Sequence, residues 1–252
     1  RAIQRMVEFA PSTGGLALCV HHVDLPPPEA PPSRIAIPAA LRGAARRPPV
    51  GTDGHTLYYD ASFELLPPAA QAGHVAHEVL HVALRHPQRY HQLRALVGDV
   101  DLQLYNTCAD AIVNSALDHL GWLELPGAAV RLERLLDGAK IEHGGVEKAL
   151  LEWDVERLYR TIDDRRPQDN QRAGRNQDPR RTGPGSGRRE DGPRAASVRA
   201  LGDDDAVADL LADEAAQGAP ETQAEDACEW SERLLRAHAG EEHLDLRALQ
   251  HR

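Results

Sequence analysis

The run Val75-Ala76-His77-Glu78-Val79-Leu80-His81-Val82-Ala83-Leu84 constrains this chain more than any other stretch. Apolar residues fall almost all round it, as they do in a helix buried at the centre of a domain. The preceding Pro67–Gly73 segment, PPAAQAG, reads as a proline-led helix start. Two histidines stand four residues apart, so their rings lie on one face, one turn above the other, and their nitrogens can converge on one point. Buried imidazoles and a buried glutamate need partners, because an unpaired buried charge is costly. A metal is the simplest partner for all three side chains, the alternative being that they are merely hydrogen-bonded within the core. The HExxH spacing offers two ligands to zinc and sets Glu78 beside the open position. A carboxylate there can take a proton from a water that the cation has made more acidic, which is peptidase chemistry.

Such a site needs a third protein ligand. The pattern HExxHxxGxxH is absent, since the position of its last histidine is Pro87 and His86 falls one residue early. The next helical pattern, Asp99 to Trp122, carries Asn106, Asp110 and Asn114 at steps of four, flanked by Leu102, Leu104, Ile112, Val113 and Leu117. A polar stripe on an otherwise apolar helix faces either solvent or something buried. In the zinc reading Asp110 is the third ligand, and Asn106 and Asn114 are donors that hold it or the substrate. The competing reading pairs Asp110 with an arginine such as Arg85 or Arg89. His74, His86 and His91 stay open as other ligands. Tyr58, Tyr105, His74 and His86 are the candidates for stabilising a developing oxyanion.

The stretch from Thr52 to Leu120 resembles the HExxH metallopeptidase domain of bacterial proteins that carry a von Willebrand A-like domain behind it and are encoded beside MoxR-type AAA+ ATPases. The matching elements are the Thr52-Asp53-Gly54 turn, the aromatic strand after it, AHEVLH followed by His86-x-x-Arg89, and the Asn106-x-x-x-Asp110-x-x-x-Asn114 helix. A weaker match continues at DVERLYRTI, Asp154 to Ile162, and Tyr105 stands where relatives often have Trp. The resemblance implies zinc held by His77, His81 and Asp110, with Glu78 as catalytic base and a peptide or protein as substrate. The alternative that the family analogy leaves open is a non-catalytic zinc-binding scaffold acting with a MoxR-type AAA+ ATPase.

The rest of the chain fits an α+β, zincin-like fold: a small β-sheet, then the zinc helix and a mainly helical subdomain, over residues 1–162. A short amphipathic helix is expected at residues 2–9 and a strand from Leu16 to Leu25. Pro26 to Pro49 reads as an exposed proline-rich connection with a short strand at Arg34 to Ile37. His55 to Tyr59, HTLYY, reads as a strand whose first role is to pack Leu57 and Tyr59 under the zinc helix, and it is the candidate for an edge strand that pairs with an extended substrate. Helices are expected at Val130 to Leu136 and Val146 to Ile162.

Residues 163–205, rich in Arg, Pro and Gly and almost devoid of large apolar side chains, read as a disordered linker. Residues 206–252 read as a helical segment, with helices at Ala206 to Ala216 and Glu221 to Ala239. The linker arginines raise a nucleic-acid role, but acidic residues are interspersed, no aromatics are interleaved, and the chain carries a formal net charge of −10. No apolar run approaches a bilayer's thickness and no basic-then-apolar leader opens the chain, so the reading is cytoplasmic, with no membrane partner. Three cysteines at unrelated spacings argue against a disulfide framework, and Cys108 reads as a core residue.

Overall fold

The computed structural model describes residues 1–27, 37–42, 44, 46–125, 129–165, 192–201 and 209–211. They form a mixed α+β fold, mostly helical, with one three-stranded sheet. The chain opens with α1 (Ala2–Phe9) and α2 (Pro11–Cys19), then β1 (His21–Asp24), β2 (Val50–Thr52) and β3 (Thr56–Tyr59). Helices α3 (Pro68–Ala83), α4 (His86–Val97), α5 (Leu102–Leu117), α6 (Leu132–Gly138), α7 (Val146–Glu152), α8 (Val155–Ile162) and α9 (Pro193–Arg199) follow.

Local chemistry sets these boundaries. Pro11 and Pro68 occupy first-turn positions, where a missing N–H costs nothing. Asp101 caps α5 by accepting from the Leu104 N–H at 2.9 Å, and Asp154 caps α8 by accepting from the Arg157 N–H at 2.7 Å. The second cap splits the expected Val146–Ile162 helix in two, with Trp153 in extended conformation between the halves. Between β2 and β3 the turn is tied by Asp53 Oδ1, which accepts from the His55 N–H at 2.9 Å and the Thr56 N–H at 2.8 Å. The same turn needs Gly54 at φ +95°.

Two sequence expectations are corrected here. Leu16 to Cys19 belong to α2, and only His21–Asp24 are strand: the run is apolar enough for either, and the proline at the start of α2 sets the helix going. The HTLYY strand is not an edge. The sheet order is β1-β3-β2, with β1 parallel and β2 antiparallel to β3, so β3 is central and β2 presents an outer edge.

Helix α5 runs through both main cores. Leu104, Tyr105, Cys108, Ala109 and Ala111 join a helical core with residues of α4 and α6 to α9. Val113 and Leu117 join a sheet-side core with Met6, Leu57, Val75, Val79 and Val82. Burying one such aliphatic side chain is worth about 1.5–3 kcal/mol, so α5 is pinned along its length. Helix α3 packs against α5, and at Gly73 the backbone of the segment before residue 126 crosses it. A Cβ there would lie 2.0 Å from the Glu124 carbonyl oxygen, so only glycine admits the crossing.

Packed structure continues past residue 162. The Asp164 carboxylate caps α9 by accepting from the Arg194 N–H at 2.8 Å and the Ala195 N–H at 3.0 Å, and Ala195 and Val198 are buried in the helical core. The remainder of the expected linker, residues 166–191 and 202–205, lies outside the described residues, as do residues 34–36 of the short expected strand and the helix expected at Glu221 to Ala239. Within the helix expected at Ala206 to Ala216, residues 209–211 are not helical, and Leu210 forms a parallel bridge with Thr52. No helix among the described residues is long and apolar enough to cross a membrane.

Candidate metal centre

Helix α3 turns His77, Glu78 and His81 into the interior, where each is at most 2% exposed. The Nε2 atoms of the two histidines stand 2.9 Å apart. From the facing side of α5, Asp110 Oδ1 lies 3.3 Å from His81 Nε2 and 3.6 Å from His77 Nε2. A fourth group arrives from the far end of the chain: Asp209 Oδ2 is 3.4 Å from His77 Nε2. One donor atom from each of these four residues lies within 4.8 Å of all the others.

The donors are held from behind. His77 Nδ1 stands 3.0 Å from Asn114 Oδ1, and the Asn114 amide in turn donates to the Val130 carbonyl at 3.1 Å. That second bond fixes the amide's orientation, so Nδ1 of His77 donates to Asn114 and Nε2 is the nitrogen turned towards the cluster. His81 Nδ1 meets His86 Nδ1 at 3.0 Å, and the His86 carbonyl accepts from the Tyr105 hydroxyl at 3.0 Å. The turn that brings His86 back over His81 is made by Arg85 at φ 58°. Asn106 donates to Asp110 Oδ2 at 3.0 Å, leaving Oδ1 free of hydrogen bonds although buried.

Charge is concentrated where solvent is scarce. Burial disfavours a charged His77, yet the Asp110 and Asp209 carboxylates outweigh it and hold the imidazole well above its ordinary value. Burial first, then Asp209 and Asp110 against the opposing pull of His77, pushes Glu78 well above the usual carboxylate range. Burial lowers His86, and its neighbours His81, Arg89 and His77 add to that, so His86 is neutral and can accept from the ring it supports. Burial and the neighbouring His77 lower His74 to about 4, against a weaker opposing effect of Asp209.

This arrangement fits a divalent cation. Ligand distances of about 2.0–2.2 Å around a tetrahedron put donor atoms about 3.3–3.6 Å from one another, the range of the three histidine–carboxylate separations, while the two Nε2 atoms at 2.9 Å stand closer. Asp110 Oδ1, Asp209 Oδ1 and Glu78 Oε2 are buried carboxylate oxygens without a hydrogen-bond donor. Such oxygens are costly to bury unless a proton or a cation answers them.

The structure thus brings His77, His81 and Asp110 together and sets Glu78 next to them. Asn106 supports Asp110, but Asn114 supports His77 and not Asp110. Arg89 is engaged elsewhere, its Nε donating to Glu156 at 2.7 Å, so the arginine pairing considered for Asp110 is not made there. Of the other ligand candidates, His86 sits behind His81, His91 stacks beside Tyr90 on α4, and His74 lies one turn before His77 outside the four-donor group. Two oxyanion candidates are committed elsewhere: Tyr58 donates to Asp53 Oδ2 at 2.8 Å and Tyr105 to the His86 carbonyl. Asp209 had no sequence signal, because its neighbours AVADLLADEAA carry the composition of a helix.

No curated protein and no solved structure matches the chain. A family model does, over residues 1–246, and its description is "Putative metallopeptidase domain". With a match of that extent, reaching from α1 past Asp209, the chain belongs to that metallopeptidase-domain family.

Proposed function

We propose that this protein is a zinc-dependent peptidase that hydrolyses peptide bonds at the His77, His81, Asp110 centre with Glu78 as general base. The observation that carries the reading is a buried glutamate with an unpartnered oxygen, one residue along α3 from a histidine whose Nε2 points into a cluster of donors. When bound, zinc would polarise the scissile carbonyl and make the attacking water more acidic.

The chain's own residues do the rest. Asn114 and His86 keep the two Nε2 lone pairs aimed inward, and Asn106 keeps one Asp110 oxygen free. Glu78 accepts the proton of the attacking water and returns it to the leaving nitrogen. The apolar packing of α3 excludes bulk water, which strengthens each of these interactions. Two imidazoles and a carboxylate also accept other divalent ions, but zinc answers a mixed nitrogen and oxygen set best among those that favour four ligands.

The test compares Zn(II)-loaded wild type with Glu78→Gln on a mixture of quenched fluorescent peptides. Glu78→Gln should lower turnover by about 10²–10⁴-fold while zinc content stays unchanged. Asp209 favours a second reading, because four protein donors make the closed set of a structural metal. In that reading the domain is a non-catalytic zinc scaffold, acting beside a MoxR-type AAA+ ATPase. It requires no turnover from wild type and no effect of Glu78→Gln.

A further inference from the structure

Resting on the peptidase reading, we propose that the outer edge of β2 is the peptide-binding strand of the site. Residues 209–211 occupy it as an intramolecular ligand, and Asp209 fills the fourth donor position until a peptide displaces them. The pairing is made by main chain alone. The Thr52 N–H donates to the Asp209 carbonyl at 2.9 Å, and the Leu211 N–H donates to the Thr52 carbonyl at 2.8 Å. An extended peptide of any sequence can make the same two bonds, the usual way a sheet edge captures a peptide.

The edge is shaped for such a guest. A Cβ on Gly51 would lie 2.9 Å from the Asp209 carbonyl oxygen and 3.6 Å from Leu211 Cδ1, so the absent side chain is what lets the second backbone approach. Leu210 and Leu211 are each 2% exposed and enter different apolar clusters. Leu210 joins the helical core, and Leu211 joins Leu25, Leu41 and Tyr58. Consecutive residues of a strand point to opposite sides, and here both sides offer a pocket for a large aliphatic side chain. Asn106 ties the guest strand to the metal centre. Its amide nitrogen holds Asp110, and its oxygen accepts from the Leu210 N–H at 3.3 Å. The favoured ligand is therefore an extended peptide with two successive large aliphatic residues.

The manner of attachment separates Asp209 from the other donors. His77, His81 and Asp110 cannot leave without unpacking α3 or α5. Asp209 leaves when a short strand exchanges its bonds with an identical set from another peptide. Displacement opens the position that hydrolysis requires.

The experiment uses the full chain loaded with Zn(II). Its probe is a fluorescein-labelled synthetic peptide, AVADLLADE, with the sequence of residues 206–214. Capture is read by fluorescence anisotropy, and zinc affinity by competition with a chelator. Leu211→Pro removes the N–H that reaches Thr52 and should capture the peptide at least ten-fold more tightly than wild type. Asp209→Asn should keep zinc affinity within about ten-fold, since the three donors fixed on the packed helices α3 and α5 all remain. Adding Gly51→Val to Leu211→Pro should abolish capture. If Leu211→Pro does not fold, Leu211→Ala loosens the same segment and should show the same gain at smaller amplitude.

Capture no better than wild type in these variants overturns the proposal, as does a zinc loss in Asp209→Asn equal to that of Asp110→Asn. Tighter capture with no hydrolysis by any variant supports the strand site and overturns the peptidase reading alone. Hydrolysis without improved capture overturns the strand site alone.

Discussion

The donors on α3 and α5 and the donor on residues 209–211 reach the same point by different means. His77, His81 and Asp110 stand on helices whose other faces are sunk in two cores, and each is backed by a further polar group, Asn114, His86 or Asn106. Asp209 stands on a short segment joined to β2 by two backbone hydrogen bonds and is followed by two buried leucines. Moving a helical donor disrupts packing worth several kcal/mol, whereas moving Asp209 breaks contacts that an incoming peptide can restore. A metal centre assembled from both kinds of support has a fixed half and an exchangeable half.

The sharpest way to break this contrast is to remove donors from the fixed half. His81→Ala and Asp110→Asn should each lower zinc affinity by more than about 100-fold, the most that loss of a supporting partner ordinarily reaches. Chelator competition measures it, and losses no larger than that of Asp209→Asn would erase the distinction. Next in size is the packing beneath each half. Leu104, fully buried where α5 carries the helical core, should cost about 2–5 kcal/mol on replacement by Ala. Leu211→Ala should cost clearly less in the same urea titration, because its segment can detach without unfolding the rest.

The fixed half is also the half that was legible in the sequence. A four-residue step places two side chains on one helix face whatever the surroundings, so HExxH and the Asn106, Asp110, Asn114 stripe disclosed both helices and the side chains that face each other. The exchangeable half had no such periodicity. Asp209 is delivered by main-chain pairing to Thr52, and main-chain pairing leaves no mark on residue types. The one trace is Gly51, whose meaning appears only once its neighbour is known. Strand order was hidden for the same reason: HTLYY has the aromatic and β-branched residues of a strand, and nothing local says that β1 pairs with one side of it and β2 with the other. Leu16 to Cys19 were misread because a four-residue apolar run fits strand or helix equally.

Smaller effects sharpen the comparison further. Asn114→Ala leaves His77 in place but frees its ring to turn, and should weaken zinc binding by about 10–100-fold with little change in stability. Zinc affinity of the wild type should also fall on acidification, because protons and the cation compete for the His77 lone pair and the two carboxylates strengthen the proton's hold. The smallest expected effect is on the stability of the metal-free protein. His74 is neutral in the fold, with its value lowered from 6.5 to about 4, so the unfolded chain binds the proton more readily. Its contribution is complete above pH 6.5 and lost as pH falls towards about 4. His74→Gln should therefore flatten the decline of the unfolding midpoint across that window, and an unchanged slope would count against a buried, neutral imidazole there.

The central claim, that two imidazoles of α3 and a carboxylate of α5 meet at one cation, is tested most directly by X-ray absorption of the Zn(II)-loaded protein. The account predicts a four-coordinate shell of nitrogen and oxygen at about 2.0–2.2 Å, with the outer-shell scattering of two imidazole rings and one oxygen donor fewer in Asp110→Ala. A shell with fewer than two imidazoles, a sulfur ligand, or a spectrum unchanged by Asp110→Ala would contradict it.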